Sequence, residues 1–194
     1  MNIKFGKPSP FTIRSEISQD QRLRVRKISF LLWSLVLIFF AFWNLAIICA
    51  PLAKINGFGE TASLIYHFFS YVCHQIDARS FHIHDAPFAV CARCFGFYIG
   101  FLAGLVIYPF AFKIENQEPL NPIWLFLSVI PTGVDWTLGF LGIWENTHFS
   151  RSTTGALLGI TCAVFIVPTI AEISSFLAQR KHLRIASKEK IKGK

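Results

Sequence analysis

The sequence predicts an all-α integral membrane protein: a bundle of four transmembrane helices plus one short re-entrant or interfacial helix. Three observations predict it. Of the 194 residues, 53% are hydrophobic and only 15% are charged, a balance unlike that of a soluble domain. Four apolar stretches reach the length of about 20 residues that a helix needs to cross a bilayer. The net charge of +8 is gathered at the two ends, where fourteen of the nineteen Lys and Arg residues lie.

Residues 1–27 form a basic tail, with Lys4, Lys7, Arg14, Arg22, Arg24, Arg26 and Lys27 set against Glu16 and Asp20. The first span follows at about 28–53. It is too long for the apolar region of a cleavable signal peptide, so it is expected to remain as an anchor. Residues 54–86 form a loop carrying a second apolar piece at 61–72. That piece has about 12 residues, too few to cross as a helix, and it reads as re-entrant or interfacial. The second span is expected at 87–112, with Asp85 as N-cap and Pro87 in the first turn. A polar loop at 113–121 leads to a third span at 122–144 and a fourth at 152–178. A second basic tail, 179–194, holds Arg180, Lys181, Arg184, Lys188, Lys190, Lys192 and Lys194 against Glu189.

Two basic tails at the ends of four crossings place both termini in the cytoplasm, in what is expected to be a prokaryotic inner membrane. The tails then contact anionic lipid rather than nucleic acid. Loops 54–86 and 145–151 face the extracytoplasmic side. A five-span alternative, with 61–72 as a full crossing, would separate the tails across the membrane.

This topology gathers the chemically conspicuous residues in the outer leaflet. Cys73, His74, Arg79, Ser80, His82 and His84 fall in the outer loop. Cys91, Arg93 and Cys94 fall in the first turns of the second span, and Arg151 and Thr154 open the fourth from the same side. Asp135 lies about 20 Å above the inner end of the third span, at a rise of about 1.5 Å per residue. On helical wheels, Ser128, Thr132, Asp135, Gly139 and Gly142 form one small-polar stripe, and Arg151, Thr154, Gly155 and Cys162 share a face. Gly96, Gly100 and Gly104 line up with Arg93 and are expected to serve close helix packing. Cys49 and Cys162 lie within apolar spans and read as core.

The series Cys73-His74-Gln75, Arg79-Ser80, Pro87-Phe88, Cys91-Ala92-Arg93-Cys94 with Gly96, Tyr98 and Gly100, then Asp135-Trp136 and Arg151 with Thr154-Gly155, resembles the domain-of-unknown-function 2085 family of small multi-pass membrane proteins. The resemblance covers about residues 60–165. It implies a membrane protein and assigns no activity, so the chemistry rests on the residues.

Three chemistries fit them. In the first, Cys73, His74, Cys91 and Cys94 hold a metal, zinc by default and iron as the other metal in view, with His82 or His84 as substitutes for His74. An open coordination position would activate water, with Asp135 as base or orienter. In the second, the Cys-x-x-Cys at a helix start beside Arg93 is a low-pKa thiol pair for disulfide exchange. Four spans with such a pair look like the quinone-linked disulfide-generating enzymes. Two departures count against this: the arginine lies inside the motif, and loop 145–151 lacks a second Cys pair. In the third, Arg79, Arg93 and Arg151 bind an anionic or lipid-like molecule, aided by Ser80 and Thr154. Arg93 or Arg151 could instead pair with Asp135, since an intramembrane carboxylate needs a partner. The metal reading ranks first, with Asp135, Arg93 and Arg151 as the groups around it. A non-catalytic lipid-binding subunit remains an alternative, and a homo-oligomer would enlarge so small a scaffold.

Overall fold

The computed structural model describes residues 19–192, without the side chains of Asp20 and of residues 181–192. Of the tail residues named above, Lys4, Lys7, Arg14, Glu16 and Lys194 therefore lie outside the described residues. The described chain forms five α-helices: α1 (Gln19–Ile55), α2 (Gly59–Ser70), α3 (Ala92–Ala111), α4 (Ile123–Phe140) and α5 (His148–Lys192). A 3-10 turn (Asp77–Arg79) and a two-stranded hairpin, β1 (His82–Ile83) with β2 (Ala86–Pro87), separate α2 from α3. Four helices are long and apolar enough to cross a membrane, and α2 is not among them. The protein is an all-α integral membrane bundle.

Helix α1 ends where the sequence can bend sharply. Gly57 adopts φ +83°, and the Phe58 N–H donates to the Ala53 carbonyl at 2.9 Å. This left-handed cap satisfies carbonyls that the helix end would leave bare. The chain then turns back, and α2 packs along α1. Trp43 meets Phe69 edge-on at 5.0 Å and Phe68 at 5.5 Å. Ile47, Ala50, Phe69, Ala89 and Val90 are buried together there. The 12 residues of α2 thus return the chain from the end of α1 to the level of Trp43. Cys73, three residues past α2, starts from a recessed position.

The most intimate contact is between α3 and α5. A Cβ on Gly96 would lie 2.6 Å from Ser152 Cα, and one on Gly100 would lie 2.6 Å from Ala156 Cα. In the opposite direction, a Cβ on Gly159 would lie 2.8 Å from Phe101 N. Glycines on each helix therefore admit the backbone of the other, as small-residue packing requires where lipid offers no hydrophobic drive between helices. Below this seam, Phe101, Leu105, Tyr108, Ala163 and Val167 form a second buried cluster. Helix α1 is tied to α3 by polar groups. The Asn44 amide donates to the Tyr98 carbonyl at 3.3 Å, and the Trp33 indole donates to the Leu105 carbonyl at 3.1 Å. Helix α4 packs chiefly on α5, and most of its surface is left to its surroundings.

Three expected boundaries move. Helix α3 begins at Ala92, with Cys91 as N-cap, rather than at Pro87. Asp85 is not its N-cap, because Ala86 and Pro87 pair with His82 and Ile83 across a tight turn. His84 sits there at φ +52°. Proline at a hairpin edge donates no hydrogen bond, so Pro87 is tolerated in the strand. Helix α4 stops at Phe140 rather than 144. Gly142 turns left-handed at φ +67°, and the Ile143 N–H donates back to the Leu138 carbonyl at 3.1 Å. Helix α5 begins at His148 rather than 152, because the Thr147 hydroxyl accepts the Ser150 N–H at 3.1 Å as an N-cap.

The glycine seam predicts a sharp contrast. Gly100→Ala should lower the unfolding free energy by roughly 1–3 kcal/mol by forcing α3 off α5. Gly133→Ala, whose new methyl would meet nothing within 4 Å, should be neutral or stabilising by up to about 1 kcal/mol. Thermal unfolding of both variants in detergent checks this.

Candidate metal centre

The hairpin and the start of α3 bring three sulfurs together from two segments. The Sγ atoms of Cys73, Cys91 and Cys94 all lie within 4.8 Å of one another. Tetrahedral thiolates about 2.3 Å from zinc stand about 3.8 Å apart, so a small contraction would close the set on an ion. No disulfide links them. Cys91 at the N-cap and Cys94 three residues later project to one side of the first turn. Cys73 reaches them from the end of α2, where its own N–H donates to the Phe69 carbonyl at 3.0 Å.

Backbone hydrogen bonds converge on Cys73. Its sulfur accepts the Cys91 N–H at 3.3 Å and the Gln75 N–H at 3.5 Å. Gln75 reaches this geometry at φ +50°, an unusual conformation for a non-glycine residue. Its side chain supports the conformation: the amide donates to the Tyr66 carbonyl at 2.7 Å and to the Ala89 carbonyl at 2.8 Å. The Tyr66 hydroxyl in turn donates to the Pro87 carbonyl. Gln75 therefore stitches the Cys73 turn to α2 and to the segment leading into Cys91. At Cys91, hydrogen bonds with the Cys73 and Cys94 thiols, aided by the Cys94 and Arg93 backbone, hold the thiol far below the usual range against the opposing effect of burial.

Arg93 lies between the two α3 cysteines and pairs with Asp135 on α4. Side-chain exposure is 24% for Arg93 and 9% for Asp135. Asn146, from the loop between α4 and α5, donates to both the backbone carbonyl and the carboxylate of Asp135. Its amide also fills the space left by Gly139. Of the two sequence alternatives, Arg93 rather than Arg151 is the residue that forms an ion pair with Asp135.

A cavity of about 790 Å³ opens beside the sulfurs. Cys73, Cys91, Cys94, Arg79, Arg93 and Arg151 line one part of it, and Trp136, Gly139, Phe140 and Trp144 another. Five other expected residues are not among the three close sulfurs. His74 is exposed and lines the same cavity, but it is not part of the close ligand set. His82 pairs with Asp77 at 3.2 Å, and His84 occupies the hairpin turn. Ser80 is buried and donates to the Ile76 carbonyl at 3.0 Å. Thr154 donates to the Ser150 carbonyl at 2.8 Å while its own carbonyl accepts the Thr132 hydroxyl at 3.1 Å. Both hydroxyls donate to carbonyls of their own segments. Gln75 and Asn146 are the contributors that sequence reasoning did not assign. Gln75 sits in the quoted motif, and Asn146 is a polar residue one short loop away from an intramembrane acid.

A family model for the predicted membrane protein family of domain of unknown function 2085 matches residues 73–165. An uncharacterized protein of Methanocaldococcus jannaschii is 38% identical over 144 residues, covering 72% of this chain and 92% of that relative. This chain belongs to the 2085 family. An uncharacterized protein of Methanothermobacter thermautotrophicus is 34% identical over 97 residues, covering 50% of this chain and 85% of that relative. No solved structure matches the chain. The 2085 match opens on Cys73 and runs past Arg151, so it takes in all three sulfurs, the Arg93–Asp135 pair and the cavity arginines.

Breaking a buried ion pair strands one charge. Arg93→Met and Asp135→Leu should each destabilise the protein by roughly 3–5 kcal/mol, and the double variant by clearly less than the sum. A double-mutant cycle in thermal unfolding checks it.

Proposed function

We propose that this 2085-family protein carries a metal–thiolate centre, with Cys73, Cys91 and Cys94 as ligands and zinc as the ion. Iron is the second metal such a ligand set accepts. The convergence of three sulfurs, one already accepting two backbone N–H groups, is the observation that carries this reading. Neutral thiols have little need of such donors, whereas thiolates gain from charge-assisted hydrogen bonds.

Three protein ligands leave a fourth position, and the cavity is where it would face. That is the pattern of a site that handles water or a substrate rather than a closed structural site. Here Arg93 is a neighbour of the ligands, held in place by Asp135, and Arg151 is a contact for an anionic or lipid-like molecule. Asp135 is engaged by Arg93 and Asn146, which favours an orienting role over that of a free base. The basic tails support cytoplasmic termini and a centre on the extracytoplasmic side.

Thiol–disulfide exchange is the second reading, favoured by the low pKa direction at Cys91 and the mutual reach of the sulfurs. Oxidising two of the thiols to a disulfide would pass two electrons and two protons to a quinone, giving a quinol.

Metal analysis of the detergent-purified protein separates the two. The metal reading expects about one zinc or iron per chain, lost in Cys91→Ser/Cys94→Ser and reduced in Gln75→Ala. Metal-free wild-type protein that forms a mixed disulfide with a thiol probe would replace it with the redox reading. A chelator should lower the melting temperature of the wild type and leave that of the double variant unchanged.

A further inference from the structure

The cavity beside the sulfurs has two chemically different walls, and neither is explained by holding a metal. On the polar wall, Arg79 and Arg151 make no side-chain hydrogen bond or ion pair with the described residues, whereas Arg93 is engaged by Asp135. Arg79 and Arg93 bear on the Arg151 guanidinium as like charges, and Asp135 bears on it as an opposite one. Each guanidinium carries five N–H donors in a fixed fork and no acceptor. Two such forks at one cavity repel each other and leave donors unused, and an oxyanion between them relieves both.

Another part of the lining is apolar and belongs to the helix that packs least. Trp136 and Phe140 stack with their rings 5.3 Å apart and 9° from parallel, and they are 54% and 74% exposed. Gly139 lies between them in sequence and adds no side chain. On a helix long and apolar enough to cross a membrane, a surface this exposed would face lipid. A ligand held there has its charge on one side and an apolar route to the bilayer on the other. The volume of about 790 Å³ suits a headgroup with the first part of a chain.

We infer that the cavity binds a phosphate-bearing amphiphile, with the phosphate between Arg79 and Arg151 and the acyl or prenyl portion along Trp136 and Phe140. This deepens the metal–thiolate reading by naming the ligand class and would set the headgroup next to the ion. Binding itself requires only the arginines and the aromatic wall.

The test is calorimetric titration of the full-length protein in detergent, with zinc measured on each sample. The ligands are dioctanoyl phosphatidic acid, dioctanoylglycerol and inorganic phosphate. Phosphatidic acid should bind, and the other two should bind at least roughly tenfold more weakly, since each lacks one half of the recognition. Arg79→Gln and Arg151→Gln should each weaken phosphatidic acid binding by roughly tenfold with zinc content unchanged. Arg151→Lys, which keeps the charge but loses the fork, stands in if Arg151→Gln fails to fold, and a weakening of at least severalfold is expected. Equal binding of dioctanoylglycerol, equal binding of inorganic phosphate, or unaltered affinity in the arginine variants would overturn the proposal. Arginine-dependent binding in a zinc-free sample would keep it and remove the metal reading. A zinc-loaded sample that does not bind phosphatidic acid would do the reverse.

Discussion

The close approach of α3 and α5 is the constraint on which the rest of this molecule depends. Hydrocarbon surrounds apolar side chains as readily as a neighbouring helix does, so intimate packing has to come from backbone contact. Glycines on both helices permit it. The same seam runs up to the site: a Cβ on Gly155 would sit 3.1 Å from Phe97 N and would press on the Arg93 carbonyl. The first turn of α3, with its two cysteines, is thereby fixed against the start of α5, with Arg151. A slightly larger residue in the seam would shift the polar end of the bundle as well as its middle.

Helix α4 is attached in a different way. It shares little buried surface with the bundle, and its strongest tie is electrostatic: Asp135 to Arg93 and Asn146. An ion pair in a low-dielectric setting is costly to form and more costly to break. It fixes register well, because the charges tolerate few other neighbours. The pair thus orients a helix that packing alone holds weakly, and it sets the distance between the aromatic wall and the arginine wall of the cavity.

The sequence made the bundle legible through length and hydropathy: four stretches were long enough to cross, and a fifth was too short. The glycine alignment on the second span foretold the packing seam because small residues four apart fall on one face. The three cysteines were legible as a set, and Asp135 announced a partner because carboxylates are not left alone in a membrane. Helix ends were less legible. Asp85 and Pro87 look like a helix start, yet the hairpin pairing of His82–Ile83 with Ala86–Pro87 outweighs that local preference. Thr147 caps α5 through a hydroxyl that no pattern marks strongly. His74 reads as a fourth ligand by adjacency to Cys73, but it lines the cavity outside the close set of three sulfurs. Gln75 could not be assigned from sequence, since its role depends on a left-handed backbone and on two carbonyls distant in the chain.

The order in which the chain leaves the ribosome gives the site a history. All three sulfurs fall within the segment 73–94, so the cysteine set is complete as soon as α3 has been made. Asp135 is synthesised 42 residues after Arg93, and the glycines of α5 come later still. During that interval the nascent chain carries all three cysteines next to a guanidinium whose counterion has not yet been made. Gathering of the sulfurs and locking of the helices would then be separate events, divided by the time needed to translate and insert one transmembrane segment.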